Sequence, residues 1–357
     1  MAINLHLKYD KKIQEAFSTA SLLKNRLGSE YSFTGAKSVR ISQPLTVPMV
    51  DYTRSGTNRY GEPTEMQDMV QEMTMTQDKS FAMTIDKGNN LDQHGIKQAG
   101  KMLNLQIRER ATPLMDTYGF LRLAHLAGKV VGNTAALTKT NVLERIAQGT
   151  LHMDDAEVPQ ENRTLFVPNS VYLLMKHSDQ FLALEGTGVE ALRKGLVGRY
   201  DNMDVIKVPA VRWPANVNFL IVYKNAALLP VKLNDTKLHT DPPGLSGNLL
   251  EGRQYYDLFV LSAKADGVYA EIDTAAGKGS VLANLTINAS TGAITGASAG
   301  ATVKYTTDGT DPRYSISAQV GTAPALASGT KTTVKAYQYS NDGKFPSGVT
   351  SVEVIKA

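Results

Sequence analysis

The sequence contains no cysteine, a single tryptophan and only six histidines in 357 residues. Without thiols it can form no disulfide, thiolate metal site or cysteine nucleophile, so the fold must hold by packing alone, and a reducing cytosol suits it. Long apolar runs are also missing. None approaches the roughly 18 residues a membrane span needs, and Met1 to Lys8 has no apolar core of signal-peptide length. Charge of one sign is scarce too: the net charge is +4, and no stretch concentrates Lys and Arg enough for specific nucleic-acid reading, which leaves only incidental contact.

Catalytic patterns are equally thin. Gly277-Lys278-Gly279 resembles a phosphate loop, but the first glycine at the required spacing and the Ser or Thr after the lysine are missing. Asp154, Asp155 and Glu157 form an acidic group without further carboxylates in the nearby sequence, as expected of a solvated helix end. The histidines His6, His94, His125, His152, His177 and His239 follow no metal-ligand spacing, and no serine sits in a Gly-x-Ser-x-Gly elbow. Trp213 reads as core or interface packing. Asp308 and Asp311, within Thr306-Thr307-Asp308-Gly309-Thr310-Asp311-Pro312, suit a tight turn first and a calcium or sugar site second. No enzyme activity, cofactor or metal is expected, and a structural role is favoured.

What the chain does have is pattern, in a composition 42% hydrophobic and 20% charged. Ile13, Phe17, Ala20 and Leu27 recur at helical spacing, predicting an N-terminal helix over Tyr9 to Leu27. Ser38 to Tyr60, with Pro44 and Pro48, suits extended edge strands. Five of the twelve methionines (Met66, Met69, Met73, Met75 and Met83) fall in the next short region. There Met73 and Met75, and then Phe81, Met83 and Ile85, alternate with polar residues around Gln77-Asp78-Lys79. This predicts a hairpin whose apolar face lies on another subunit.

Asp92 is placed to cap a long helix carrying Ile96, Ala99, Leu103 and Ile107, kinked or restarted at Thr112-Pro113 and continuing through Leu114, Tyr118 and Leu121. Asn141 and Glu144 have capping-box spacing. Thr164 to Val167, Asp204 to Val208, Asn218 to Tyr223, Tyr255 to Lys264 and Gly267 to Ile272 read as strands, and Val171 to Leu184 as helical. Asp241-Pro242-Pro243-Gly244 to Gly247 reads as a loop. Together these predict an α+β layered body.

Near Ala275 the composition changes. From there to Ala357 there is no methionine, and about half the residues are Ala, Gly, Ser or Thr, with short alternating runs. A separate small β sandwich is expected, carrying +3 of the net charge, with Ala275 to Ser280 as its linker.

Several phrases carry a resemblance. Glu72 to Asp86, Arg110-Ala111-Thr112-Pro113-Leu114-Met115-Asp116-Thr117-Tyr118, Glu161 to Val167 and Gly195 to Val205 are similar, in order, to the extended loop, spine helix and axial-domain segments of tailed-bacteriophage major capsid proteins of the Hong Kong 97 type. Val303 to Pro312 with Thr333-Val334-Lys335-Ala336-Tyr337 and Asp342-Gly343 resembles immunoglobulin-like modules, including those at the C-terminus of chitobiase- and hexosaminidase-type enzymes.

The first resemblance implies an arm over 1–37, an extended hairpin loop over 38–90, a spine helix of the peripheral domain over 91–135 and an axial domain over 136–231. A return to the peripheral domain over 232–274, the linker 275–280 and the surface module 281–357 complete it. It implies a self-assembling subunit of pentamers and hexamers in an icosahedral virion shell, built in the host bacterial cytoplasm. Its partners would be further copies, a portal protein, a scaffold if one is used, and packaged double-stranded DNA contacted without sequence preference. The residues implied to touch a neighbour are Met73, Met75, Phe81, Met83 and Ile85. The chain opens directly on the arm, without the long scaffolding segment some members carry, and no motif identifies a lysine and asparagine cross-linking pair. The module resemblance implies outward display with weak binding to glycans or cell surfaces, Asp308 and Asp311 being its candidate turn. An encapsulin-like nanocompartment shell, a carbohydrate-active enzyme and an adhesive surface protein are the other readings.

Overall fold

The computed structural model describes residues 20–31, 38–44, 49–61, 63, 65, 68–92, 98–178, 196–329 and 331–356. Ile13, Phe17 and Met66 lie outside these residues, as does most of the expected N-terminal helix; its described end, from Ala20, forms turns rather than helix.

The centre is a mixed six-stranded sheet in the order β4 (Lys129–Asn133), β13 (Val268–Asp273), β8 (Val217–Tyr223), β5 (Arg163–Pro168), β7 (Met203–Val208) and β6 (Leu196–Tyr200). Its inner strands are buried on both faces, which is why their sequences run apolar without alternation. Leu165, Val167, Val205, Phe219 and Ile221 face one core with the helices α4 (Val142–Asp155) and α5 (Asn169–Lys176). Phe166, Ile206, Val208, Leu220 and Val222 face a second core against α3 (Thr112–His125). The Asn141 side chain does not cap α4; its Oδ1 accepts from the Thr138 N–H in the loop before it.

The long helix is built in two α-helical parts. α1 (Lys87–Asp92) is a short turn of helix that ends, rather than opens, at Asp92, and α2 (Ala99–Gln106) begins after it. A π-helical stretch over Ile107–Ala111 joins α2 to α3. Pro113 has no N–H to give the preceding turn, and the chain widens just before it, with the Thr112 N–H reaching Ile107 O. The element stays continuous in direction through residues with helical backbone angles, as the repeated apolar spacing suggests.

Two ribbons leave the body. One is the antiparallel pair β1 (Ser38–Pro44) and β2 (Asp68–Thr74). The other is a three-stranded sheet of β10 (Val231–Thr240), β11 (Gly247–Tyr256) and β3 (Gln77–Asp86). The expected hairpin between the two methionine-rich arms is therefore not formed. β2 pairs with β1, β3 pairs with β11, and the chain crosses between the ribbons at Met75-Thr76. Asp78 lies within β3 opposite Tyr255 rather than in a turn. β9 (Ala227–Leu228) and β12 (Phe259–Val260) form a short pair at the base, and Leu261 to Gly267 turns away from strand geometry.

The C-terminal module is all β, an immunoglobulin-like sandwich of β14 (Thr286–Ile287) with β15 (Ile294–Thr295) against the sheet β17-β16-β18-β19. Those four strands span Gln319–Val320, Thr302–Thr306, Lys331–Tyr339 and Thr350–Ile355. Leu285, Ile287, Val303, Val334, Ala336 and Val354 form its own core.

Candidate functional site

The ribbon β1–β2 is rooted by polar clamps and ends in an apolar tip. At the root, the Gln71 side chain, 8% exposed, donates from Nε2 to Val260 O at 2.8 Å and accepts the Ser262 N–H at 3.0 Å on Oε1, pairing with strand edge as a peptide would. Met73 and Met75 sit beside it, packed with Leu228, Phe259 and Leu261. Along the ribbon, Arg40 Nε donates to Glu72 at 2.8 Å across the strands. At the far end Thr53 N–H donates to Arg59 O, and Tyr52 and Tyr60 meet edge to face at 5.0 Å. Met49, Val50, Tyr52 and Tyr60 are all exposed, Met49 to 99%.

Two buried carboxylates tie α3 to its surroundings, Asp257 joining it to the ribbon's base and Asp116 joining it to Ser21, Leu22 and Arg212. Asp257 Oδ2 accepts from both the N–H and the hydroxyl of Thr76 at 2.8 Å, and Oδ1 accepts from Tyr118 Oη at 2.6 Å and Leu258 N–H at 2.7 Å. Asp116, wholly buried in α3, accepts from Ser21 Oγ at 2.7 Å, Leu22 N–H at 3.1 Å and Arg212 Nη1 at 2.9 Å. Burial raises the Asp116 carboxyl against the opposing pull of these donors. Leu23 fills the space Gly119 leaves, since a Cβ there would come within 2.5 Å of it.

The residues expected to touch a neighbour therefore divide. Met73 and Met75 are 1% and 0% exposed, packed against Leu228, Phe259 and Leu261 of their own chain. Ile85 is likewise buried at 6%. Phe81 and Met83 on β3 are half-buried, the Phe81 ring lying over Gly252 of the facing strand. The exposed apolar group is instead at the tip of β1–β2. Alternation alone could not locate it, because Met49 to Tyr60 is irregular chain; the signal was apolar residues in a stretch with no period.

The C-terminal turn is held by its own side chains. Asp308 accepts from Thr310 N–H and Oγ1 on Oδ1 and from Ser317 Oγ on Oδ2; these bonds hold its carboxyl below the usual range although burial opposes them. Asp311 accepts from Arg313 Nε at 3.0 Å and Nη2 at 2.6 Å. Arg313 Nη1 in turn donates to Ala127 O at 3.0 Å and Gly128 O at 2.6 Å, just past the end of α3. The Asp154 carboxylate accepts from Arg163 at 2.7 Å. Among the described residues no group of three or more His, Asp or Glu gathers as a metal site, and no helix is long and apolar enough to cross a membrane. Trp213 packs on Phe120 at 5.3 Å and donates from Nε1 to Val217 O.

The same arrangement recurs in solved structures. A chain from Mycobacterium phage Che8 superposes with a TM-score of 0.58 at 15% identity, covering 77% of this chain and all of that one. The mature capsid of bacteriophage PhiM1 gives 0.58 at 14%, and the capsid of cyanophage P-SCSP1u gives 0.59 at 12%, each covering 76% of this chain and 93% of that one. The fold is of the Hong Kong 97 capsid type. These capsid-fold matches leave unaligned a length close to that of the C-terminal module. Within the module, residues 293–354 match the family model described as Fn3 associated. No curated protein matches the chain in sequence.

Proposed function

We propose that this chain is the major capsid protein of a tailed bacteriophage, a non-enzymatic shell subunit that assembles as pentamers and hexamers around double-stranded DNA. In this reading it is made in the host cytoplasm and resides in the virion, with its C-terminal sandwich on the outside. The observation that carries it is the ribbon β1–β2, clamped at its root by Gln71 and Asp257 and ending in exposed Met49, Val50, Tyr52 and Tyr60. Apolar area gains about 25 cal/mol per Å² when covered, and among the described residues none covers this tip. A neighbouring copy of the same chain is the partner that capsid geometry supplies, and closed symmetry multiplies a modest contact over many subunits. Phe81 and Met83, half-covered on β3, are a second area for such a neighbour.

Negative-stain microscopy of the purified chain tests this. Closed shells are expected, and replacing Met49, Val50, Tyr52 and Tyr60 together with serine should abolish them while leaving the circular dichroism spectrum unchanged. A chain that stays monomeric at high concentration without that replacement would overturn the reading.

A further inference from the structure

The C-terminal module is attached to the body at more points than an appended display domain needs. Its linker is not free: Gly279 N–H donates to Asp273 O, Phe345 N–H to Ser280 O and Leu282 N–H to Phe345 O, so the first residues of the module pair with its late segment at Phe345 through an isolated parallel bridge. Tyr314 and Phe345 belong to the core that includes Phe120 and Leu123 of α3, and Phe345 stacks on His125 at 4.6 Å. The segment Asp311 to Ile316 then makes two separate attachments. On one side Tyr314 Oη donates to Leu126 O at 2.6 Å and Arg313 Nη1 to Ala127 O and Gly128 O, the three carbonyls that immediately follow α3. On the other side Ile316 N–H donates to Val70 O at 3.3 Å, and Ser315 lies in an antiparallel bridge with Gln71. That places module backbone along the edge of β2 that β1 leaves unpaired.

From this we infer that the C-terminal module is an intrachain clamp, holding the root of the ribbon β1–β2 at a fixed angle to the spine helix. A strand edge left open is both mobile and adhesive, and covering it removes both properties. The clamp is a property of the single chain and does not depend on the shell reading.

Hydrogen exchange on the full-length chain tests it. The double variant Arg313→Ala with Tyr314→Phe removes the attachment to the helix end without touching the module's core residues Val334, Ala336 and Val354. Amides of 68–74 and of Ile316 are expected to exchange at least about tenfold faster, while those of 331–339 keep their protection. Unchanged protection at 68–74, with the module released or not, would overturn the clamp. If the double variant loses the module's own protection, Tyr314→Phe alone decides by the same comparison. Faster exchange at 68–74 with 331–339 intact supports the clamp, and no change there rejects it.

Discussion

The hydroxyl of Tyr118 in the spine helix donates to Asp257 at 2.6 Å, and the same carboxylate receives both donors of Thr76 where the chain passes from one ribbon to the other. One buried anion thus joins helix, crossover and the end of β11. Burial and the carboxylate beside it push the Tyr118 hydroxyl up to about 12, so it remains a donor throughout the neutral range.

Asp257→Ala leaves the donors of Thr76, Tyr118 and Leu258 without their acceptor, and we expect it to cost on the order of 3 to 5 kcal/mol in urea unfolding. Tyr118→Phe removes one donor to a charged acceptor and should cost about 1.5 to 3 kcal/mol. In the double variant the two losses should sum to less than their separate values, because both act on one bond. Full additivity would show that Tyr118 stabilises through packing instead.

His125 gives a pH dependence. It is stacked on Phe345 of the module, and burial, with the cationic Arg122 adding to it, lowers its pKa below the ordinary 6.5. A folded-state value below the unfolded one means the unfolded chain binds more protons, so stability rises with pH across that interval. This contribution is fully present above pH 6.5 and is lost as pH falls through the lowered value. Melting temperatures should therefore fall more steeply below pH 6.5 in the parent chain than in His125→Phe, which keeps the stack. Parallel curves would show that the stack carries no proton linkage. His152 is lowered in the same direction by burial but is common to both chains and cancels in the comparison.

How much of this was legible follows from what periodicity encodes. The buried strands β5, β7, β8 and β13 and the helix through Phe120 announce themselves, because each spends its apolar residues on a core within the chain. Alternation marks β2 at Met73 and β3 at Phe81, Met83 and Ile85, but it says which face is covered, not which strand lies alongside. Partner choice rests on Gln71 and Asp257, whose contacts lie 189 and 181 residues away in sequence. The hairpin β10–β11 carries no regular alternation, because Lys237, His239, Glu251 and Arg253 are exposed while the buried Leu250 and Tyr256 of β11 do not recur at a strand period with other apolar residues. Asp308 and Asp311 carry turn chemistry in the sequence. Their hold on the turn, and through Arg313 on the helix end, appears only in three dimensions.

Gly247 marks where that hairpin meets β3. Its φ of +141° and a Cβ position 2.1 Å from Ile85 O leave no room for any side chain. Gly247→Ala should cost roughly 3 kcal/mol through strain and displacement of the paired backbone. The loss should appear as faster exchange at 77–86, the strand that pairs with β11. A variant as stable as the parent would mean the pairing at Asp86 is dispensable.

Gln71 allows the sharpest test of the ribbon's root. Its amide faces an acceptor, Val260 O, and a donor, Ser262 N–H, in a buried site. Gln71→Glu keeps the shape and the bond from Ser262 but sets an anion against a carbonyl, so the carboxyl is expected to titrate above its ordinary value. The folded variant then binds more protons than the unfolded one, and its stability falls as pH rises. We expect a deficit of about 2 to 4 kcal/mol at pH 7, from lost hydrogen bonding and desolvation, that shrinks toward pH 4 as the protonated acid donates to Val260 O. Gln71→Ala, which cannot titrate, should show a deficit independent of pH over the same range. If the two variants track each other with pH, the amide is not clamped between these partners and the ribbon is rooted by Met73 and Met75 alone.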